Sequence, residues 1–69
     1  MYPNLRAEIA RRGLTLAQVA EIIGKTISTT SLKMSGKSDF TLPECKALSV
    51  YLGTPIDRLF EVRNGTELR

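Results

Sequence analysis

The stretch Gly24–Lys37, GKTISTTSLKMSGK, decides between two descriptions of this chain. Six of the ten residues from Thr26 to Ser35 are Ser or Thr, which are weak helix formers that favour caps and turns. Glycines bracket the run, and sequences with helical periodicity lie on both sides of it. The stretch is therefore either a polar loop or a short helix whose surface is suited to what it touches.

A helix in this stretch has both of its end signals. Thr26 can serve as the N-cap, and Gly36 can terminate the helix. One face of this helix is weakly apolar and carries Ile27, Thr30, Ser31 and Met34. We expect a helix, and a loop stays the alternative because the apolar pattern is weaker here than elsewhere in the chain.

Four other helices and no strand are predicted. The first runs from about Asn4 to Arg12. The second opens with Thr15-Leu-Ala-Gln18 and the fourth with Thr41-Leu-Pro-Glu44, both of which have the pattern of a capping box. The fifth starts at Thr54-Pro55, with the threonine as cap and the proline at the first helical position. The chain is therefore predicted to be all-α, with residues 1–69 forming one domain.

Apolar residues at helical spacing predict the core. They are Leu5, Ile9, Leu16, Val19, Ala20, Ile23, Leu42, Cys45, Leu48, Leu52, Ile56, Leu59 and Phe60. We expect Cys45 to be a small buried residue and not a nucleophile, because the chain has no His that could serve as its base.

The net charge of +3 can be assigned to a single segment of the chain. Lys25, Lys33 and Lys37 lie between Ile22 and Ser38, where no acidic residue occurs, and the rest of the chain has seven basic and seven acidic residues. A basic stripe beside a neutral body is typical of a protein that binds polyanions. A solvated face that carries lysines is the alternative.

Composition argues against several other function classes. One Cys and no His exclude an internal disulfide and a Cys/His metal cluster. The carboxylates are scattered, so we expect no enzyme activity, no metal and no cofactor. No apolar run has the length of a membrane span, and the first twelve residues mix Glu8 with three arginines. We therefore expect neither a signal peptide nor a membrane anchor, and a cytoplasmic location.

Several short motifs occur in a characteristic order. Gly36 follows Gly24 by twelve residues, the spacing of a helix-turn-helix unit. The other motifs are Arg12-Gly13-Leu14-Thr15, Val19-Ala20, Ile23-Gly24, Ser35-Gly36-Lys37, Phe40-Thr41-Leu42 and Leu52-Gly53-Thr54-Pro55-Ile56-Asp57-Arg58-Leu59-Phe60. With them, residues 4–61 resemble the lambda-repressor-like (Cro and phage repressor) helix-turn-helix family, and most of all its small single-domain members.

The resemblance implies a compact five-helix bundle that binds double-stranded operator DNA as a homodimer, as a repressor of phage or prophage type. The third helix, about residues 27–35, would lie in the major groove. The base-facing positions carried over are Thr26, Ile27, Ser28, Ser31, Leu32 and Lys33. The phosphate-facing positions are Thr15, Gln18, Lys25, Ser35 and Lys37. For the dimer contact we expect the fifth helix and the tail, with Leu59, Phe60, Val62 and Leu68.

The third helix departs from the family pattern in its reading surface. It has no Arg, Asn or Gln, and Ile27 and Leu32 stand where polar residues are frequent. Hydroxyls can meet several base edges and methyl groups can pack on thymine, so we expect modest base specificity. A register shifted by two residues would bury Ile27 and Leu32 instead, but both glycines favour the ungapped one. The alternative function is a protein-interaction module on the same fold, such as an inhibitor or an antitoxin.

Overall fold

The computed structural model describes residues 2–61, and this part of the chain contains five α-helices and no strand. In chain order the helices are α1 (Pro3–Arg11), α2 (Leu16–Ile23), α3 (Ile27–Met34), α4 (Leu42–Leu52) and α5 (Ile56–Leu59). The predicted all-α class is confirmed, and the Ser/Thr-rich stretch is a helix and not a loop. Two of the predicted dimer contacts, Val62 and Leu68, lie outside the described residues.

Threonine side chains fix where α2, α3 and α4 begin. The Thr15 hydroxyl accepts a hydrogen bond from the Gln18 backbone N–H at 3.1 Å, and the Gln18 side chain accepts one from the Thr15 N–H at 2.8 Å. Thr41 forms the corresponding capping box at the start of α4. The Thr26 hydroxyl accepts from the Thr29 N–H at 3.1 Å. The Ser/Thr-rich stretch therefore starts as a helix because its first threonine caps it.

The connection from α2 to α3 matches its prediction, whereas the connection from α4 to α5 differs from it by one residue. Gly24 ends α2 with a φ of 73°, in the left-handed region that favours glycine, so the chain turns into α3 within three residues. The start of α5 was predicted one residue too early. Pro55 occupies the N-cap position, and the Thr54 hydroxyl donates to the Leu52 carbonyl at 3.3 Å instead of capping α5.

The core receives at least one residue from each helix. Its buried members are Leu5, Val19, Ala20, Ile23, Met34, Leu48, Leu52 and Leu59. Leu16 and Leu42 were predicted to join them, but they are 37% and 65% exposed. Each is the first residue of its helix, so it lies at the rim of the bundle and not over its centre.

Three aromatic rings close the side of the core where α1 begins and α5 ends. Tyr2, Phe40 and Phe60 contact one another edge to face, with ring centroids 5.0–5.6 Å apart. Phe60 is therefore engaged within its own chain, and Leu59 has no exposed surface at all. The prediction that Leu59 makes a dimer contact is corrected, because its side chain is already packed in the core.

Candidate nucleic-acid interface

The helix α3 has one buried and one exposed face. Thr30, Lys33 and Met34 are buried, with at most 8% of their surface exposed. Ile27 and Leu32 are 52% and 47% exposed. The burial of both side chains that the register shifted by two residues predicted is therefore not observed.

We call the exposed side of α3 the outer face. It consists of Ile27, Ser28, Ser31, Leu32 and the C-cap residue Ser35. At about 100° per residue, the three serines lie on the arc between Ile27 and Leu32. The outer face is thus a strip of hydroxyls with an aliphatic side chain at each edge, and it carries no charge.

The hydroxyls near the outer face differ in what they bind. The Ser35 hydroxyl donates to the Leu32 carbonyl at 3.0 Å. The Thr26 hydroxyl accepts from the Thr29 N–H and donates to the Thr29 hydroxyl at 3.0 Å. Within residues 2–61, the hydroxyls of Ser28 and Ser31 have no hydrogen-bond partner. These two serines can therefore donate to and accept from a ligand without giving up a bond inside the protein.

Lys33 is not on the outer face, and its predicted role as a base-facing residue is corrected. Its Nζ lies 3.0 Å from Glu44 Oε1 and donates to the Asp39 carbonyl at 2.8 Å. The Lys33 residue is 6% exposed, because it follows Thr30 by three positions and shares the buried side of the helix. Its ammonium is neutralised inside the protein and cannot contact a nucleic acid from there.

Lys25 and Lys37 remain at the two ends of α3. Lys25 precedes the helix, and 46% of its side chain is exposed, with its Nζ 3.8 Å from Glu44 Oε2. Lys37 follows the helix and is exposed, with no ion pair to any residue from 2 to 61. The basic stripe that the sequence predicted therefore contains two accessible lysines, one on each side of the outer face.

Glu44 connects α3 to α4 and is 4% exposed. Its Oε1 accepts the Thr41 N–H at 2.9 Å in addition to the Lys33 ammonium. Burial alone would raise the pKa of Glu44, but the Thr41 hydrogen bond and the Lys33 charge outweigh it, so the pKa of Glu44 is lowered. Its Oε2 is buried and has no hydrogen-bond partner in the described part of the chain. No pattern in the sequence predicts this ion pair, since only the capping role of Glu44 has a local signal.

The predicted phosphate contacts at the start of α2 are on the surface. Thr15 and Gln18 are exposed, but their side chains bond to each other in the capping box. Of the N–H groups at this helix start that have no intrahelical acceptor, the capping box satisfies those of Thr15 and Gln18 and leaves those of Leu16 and Ala17. A phosphate near this end would bind those N–H groups, as anions do at helix N-termini.

Cys45 was predicted to be buried, but it is only partly buried. Burial raises its pKa, and the nearby charge of Glu44 raises it further, so the thiol stays protonated at neutral pH. Among the described residues, no group of three or more His, Cys, Asp or Glu side chains could hold a metal ion. In the same part of the chain, no helix has the length and apolar character needed to cross a membrane.

Comparisons of the chain with protein-family models, with curated proteins and with solved structures gave no match. The candidate site is therefore defined by its own geometry. It consists of the uncharged outer face of α3, an accessible lysine at either end, and the open first turn of α2.

Proposed function

We propose that this protein is a DNA-binding transcriptional regulator of the phage-repressor type. In this proposal α2 and α3 form a helix-turn-helix unit, and the outer face of α3 lies in the major groove. The proposal rests on the outer face, where two serine hydroxyls without a partner among residues 2–61 and two exposed aliphatic side chains lie between Lys25 and Lys37. The sequence resemblance of residues 4–61 supports the same function.

The size of α3 suits a DNA groove. With its side chains, an α-helix such as α3 is about 10–12 Å across. The major groove of B-DNA is about 12 Å wide and admits an α-helix. With Met34 and Thr30 held in the core, the helix is fixed to the body of the protein by one side and offers the other side to base edges.

Phosphate binding is assigned to the lysines at the ends of α3 and to the first turn of α2. Two lysines per subunit give about four phosphate contacts in a homodimer on a partly palindromic operator. The logarithm of the binding constant should then fall with the logarithm of salt concentration with a slope of about −3.6. Occupation of the operator would repress transcription by blocking access of the polymerase.

The test is a fluorescence anisotropy titration of a duplex of roughly two helical turns, about 20 bp, at several salt concentrations between about 50 and 200 mM. We expect binding that weakens steeply with salt. Lys37→Gln should reduce the steepness of the slope by about one for each subunit that binds. Lys46→Gln is the matched control, because Lys46 is exposed on α4, outside the candidate site. Absence of binding at the lowest salt concentration would overturn the proposal.

A second candidate function is recognition of another protein by the same face. The specific observation in its favour is that Ile27 and Leu32 expose about half of their surface while Lys33 is withdrawn into an ion pair. Exposed aliphatic side chains suit a protein interface at least as well as a groove. Failure to bind any duplex at low salt, with the fold intact by circular dichroism, would favour this candidate.

A further inference from the structure

We infer that the DNA bound by this protein presents thymine methyl groups to Ile27 and Leu32, and that these methyl contacts supply most of its base discrimination. The inference rests on the proposed DNA-binding function and specifies the class of sequence that the site accepts. It follows from which groups the outer face offers and from which groups it lacks.

The outer face lacks the side chains that usually distinguish bases by paired hydrogen bonds. Arg and Lys read guanine, and Asn and Gln read adenine, through two hydrogen bonds each. None of these residue types occurs among the five outer-face residues. The hydroxyls of Ser28 and Ser31, which have no partner in the described part of the chain, both donate and accept, so they can satisfy several base edges and discriminate weakly.

The remaining groups on the outer face are aliphatic. Ile27 and Leu32 are 52% and 47% exposed, so each has apolar surface left to bury. Thymine is the base that presents a methyl group in the major groove, and apolar side chains contact that methyl. Loss of one such methyl contact should weaken binding roughly fourfold, the ratio expected from burying one methyl-sized group.

The spacing of the two side chains sets the spacing of the thymines. Ile27 and Leu32 are five residues apart, which corresponds to about 7.5 Å along the helix axis. This distance is about two base-pair steps of 3.4 Å. The two residues also lie at opposite edges of the serine strip, so each should meet a different base pair. We therefore expect two contacted thymines, about two steps apart, in each half-site.

The experiment compares thymine with uracil, because uracil lacks only the methyl group. A pool of random-sequence duplexes is first selected for binding to the protein, and the best-bound sequence is synthesised with thymine or with uracil throughout. Binding constants for both duplexes are then measured for the wild type, for the double variant Ile27→Ala with Leu32→Ala, and for Val50→Ala. Val50 is 82% exposed on α4 and serves as an aliphatic control outside the site.

The wild type should bind the uracil duplex at least about tenfold more weakly, since two methyl contacts per half-site are lost. The double variant should bind both duplexes equally, with an affinity close to that of the wild type for uracil DNA. Val50→Ala should keep the wild-type ratio between the affinities for the thymine duplex and the uracil duplex. Circular dichroism of the variants provides the check that each of them is folded.

Three results would overturn the inference while leaving the proposed function intact. They are equal binding of the thymine and uracil duplexes by the wild type, a selected pool without thymine preference, and a thymine-to-uracil ratio that persists in the double variant. The last result would mean that uracil acts through DNA shape and not through the two side chains. Absence of binding to every duplex at low salt would instead overturn the proposed function itself.

Discussion

The two faces of α3 reverse the usual relation between polarity and burial. On the inner face, the polar residues Thr30 and Lys33 are buried and hydrogen-bonded within the chain. On the outer face, Ile27 and Leu32 expose about half of their surface, and the Ser28 hydroxyl has no partner among residues 2–61. Side-chain type alone therefore does not reveal the function of a face in this helix. What distinguishes the faces is whether polar groups are satisfied and whether apolar area is left uncovered.

This difference predicts that substitutions on the inner face change stability, whereas those on the outer face change binding. The largest effect is expected for Lys33→Met. It leaves Glu44 buried without its close partner, and the loss of one member of a buried ion pair costs about 3–5 kcal/mol. That loss is comparable to the whole stability of a domain of this size. Thermal unfolding followed by circular dichroism would measure it.

Lys46→Met is the matched control for Lys33→Met, because it removes an exposed lysine from α4. It should change the free energy of unfolding by no more than about 0.5 kcal/mol. The double variant Lys33→Met with Glu44→Gln should recover part of the stability, since both charges are removed and no unpaired charge is left buried. Equal stabilities for Lys33→Met and Lys46→Met would show that the inner-face ion pair is not structural.

Lowering the pH should remove part of the stabilisation that the Lys33–Glu44 ion pair contributes. The pKa of Glu44 is lowered in the folded protein, so its stabilisation is present above the unfolded-state pKa of about 4.3 and is lost as the pH falls through the folded-state pKa. Glu44→Gln keeps an oxygen for the Thr41 N–H but cannot ionise. The unfolding free energy of the wild type should therefore fall more steeply than that of Glu44→Gln below about pH 4.3. Parallel curves in urea titrations at each pH would contradict this assignment.

Removal of the cap at the start of α3 should lower the free energy of unfolding by an intermediate amount. Thr26→Ala removes the hydroxyl that accepts the Thr29 N–H, and the loss of such an N-cap costs about 1 kcal/mol. Ser28→Ala is its control, because the Ser28 hydroxyl is unbonded within the described residues and alanine is a better helix former. Urea unfolding should show a loss for Thr26→Ala and none for Ser28→Ala. Similar values for both would mean that the cap does not determine where α3 begins.

Local signals explain why the helices could be predicted from the sequence. The caps at Thr15, Thr26 and Thr41 depend on residues within three positions, and the structure shows each of these hydrogen bonds. The apolar stripes also located most of the core. They failed at Leu16 and Leu42, because periodicity reports the side of a helix but not how far its end extends beyond the bundle.

The candidate site was less predictable, because it depends on contacts between distant residues. The Lys33–Glu44 pair joins residues eleven positions apart across the connection from α3 to α4, and no local pattern marks it. A charge count therefore assigned three lysines to the surface where two are accessible. The burial of Leu59 was predicted, but its use as a dimer contact was inconsistent with the same prediction, since a buried side chain has no surface for a partner.

The smallest effect on stability is expected on the outer face. Ile27→Ala and Leu32→Ala remove methyl groups that are about half exposed, and alanine has the highest helix propensity, so each should change the unfolding free energy by no more than about 0.5 kcal/mol. Met34→Ala is the same kind of truncation on the inner face and should cost about 2–5 kcal/mol. Urea unfolding of the three variants compares the faces directly. If the outer-face variants lose as much as Met34→Ala, and more at higher protein concentration, the outer face packs on a second copy of the chain and is not free to enter a groove.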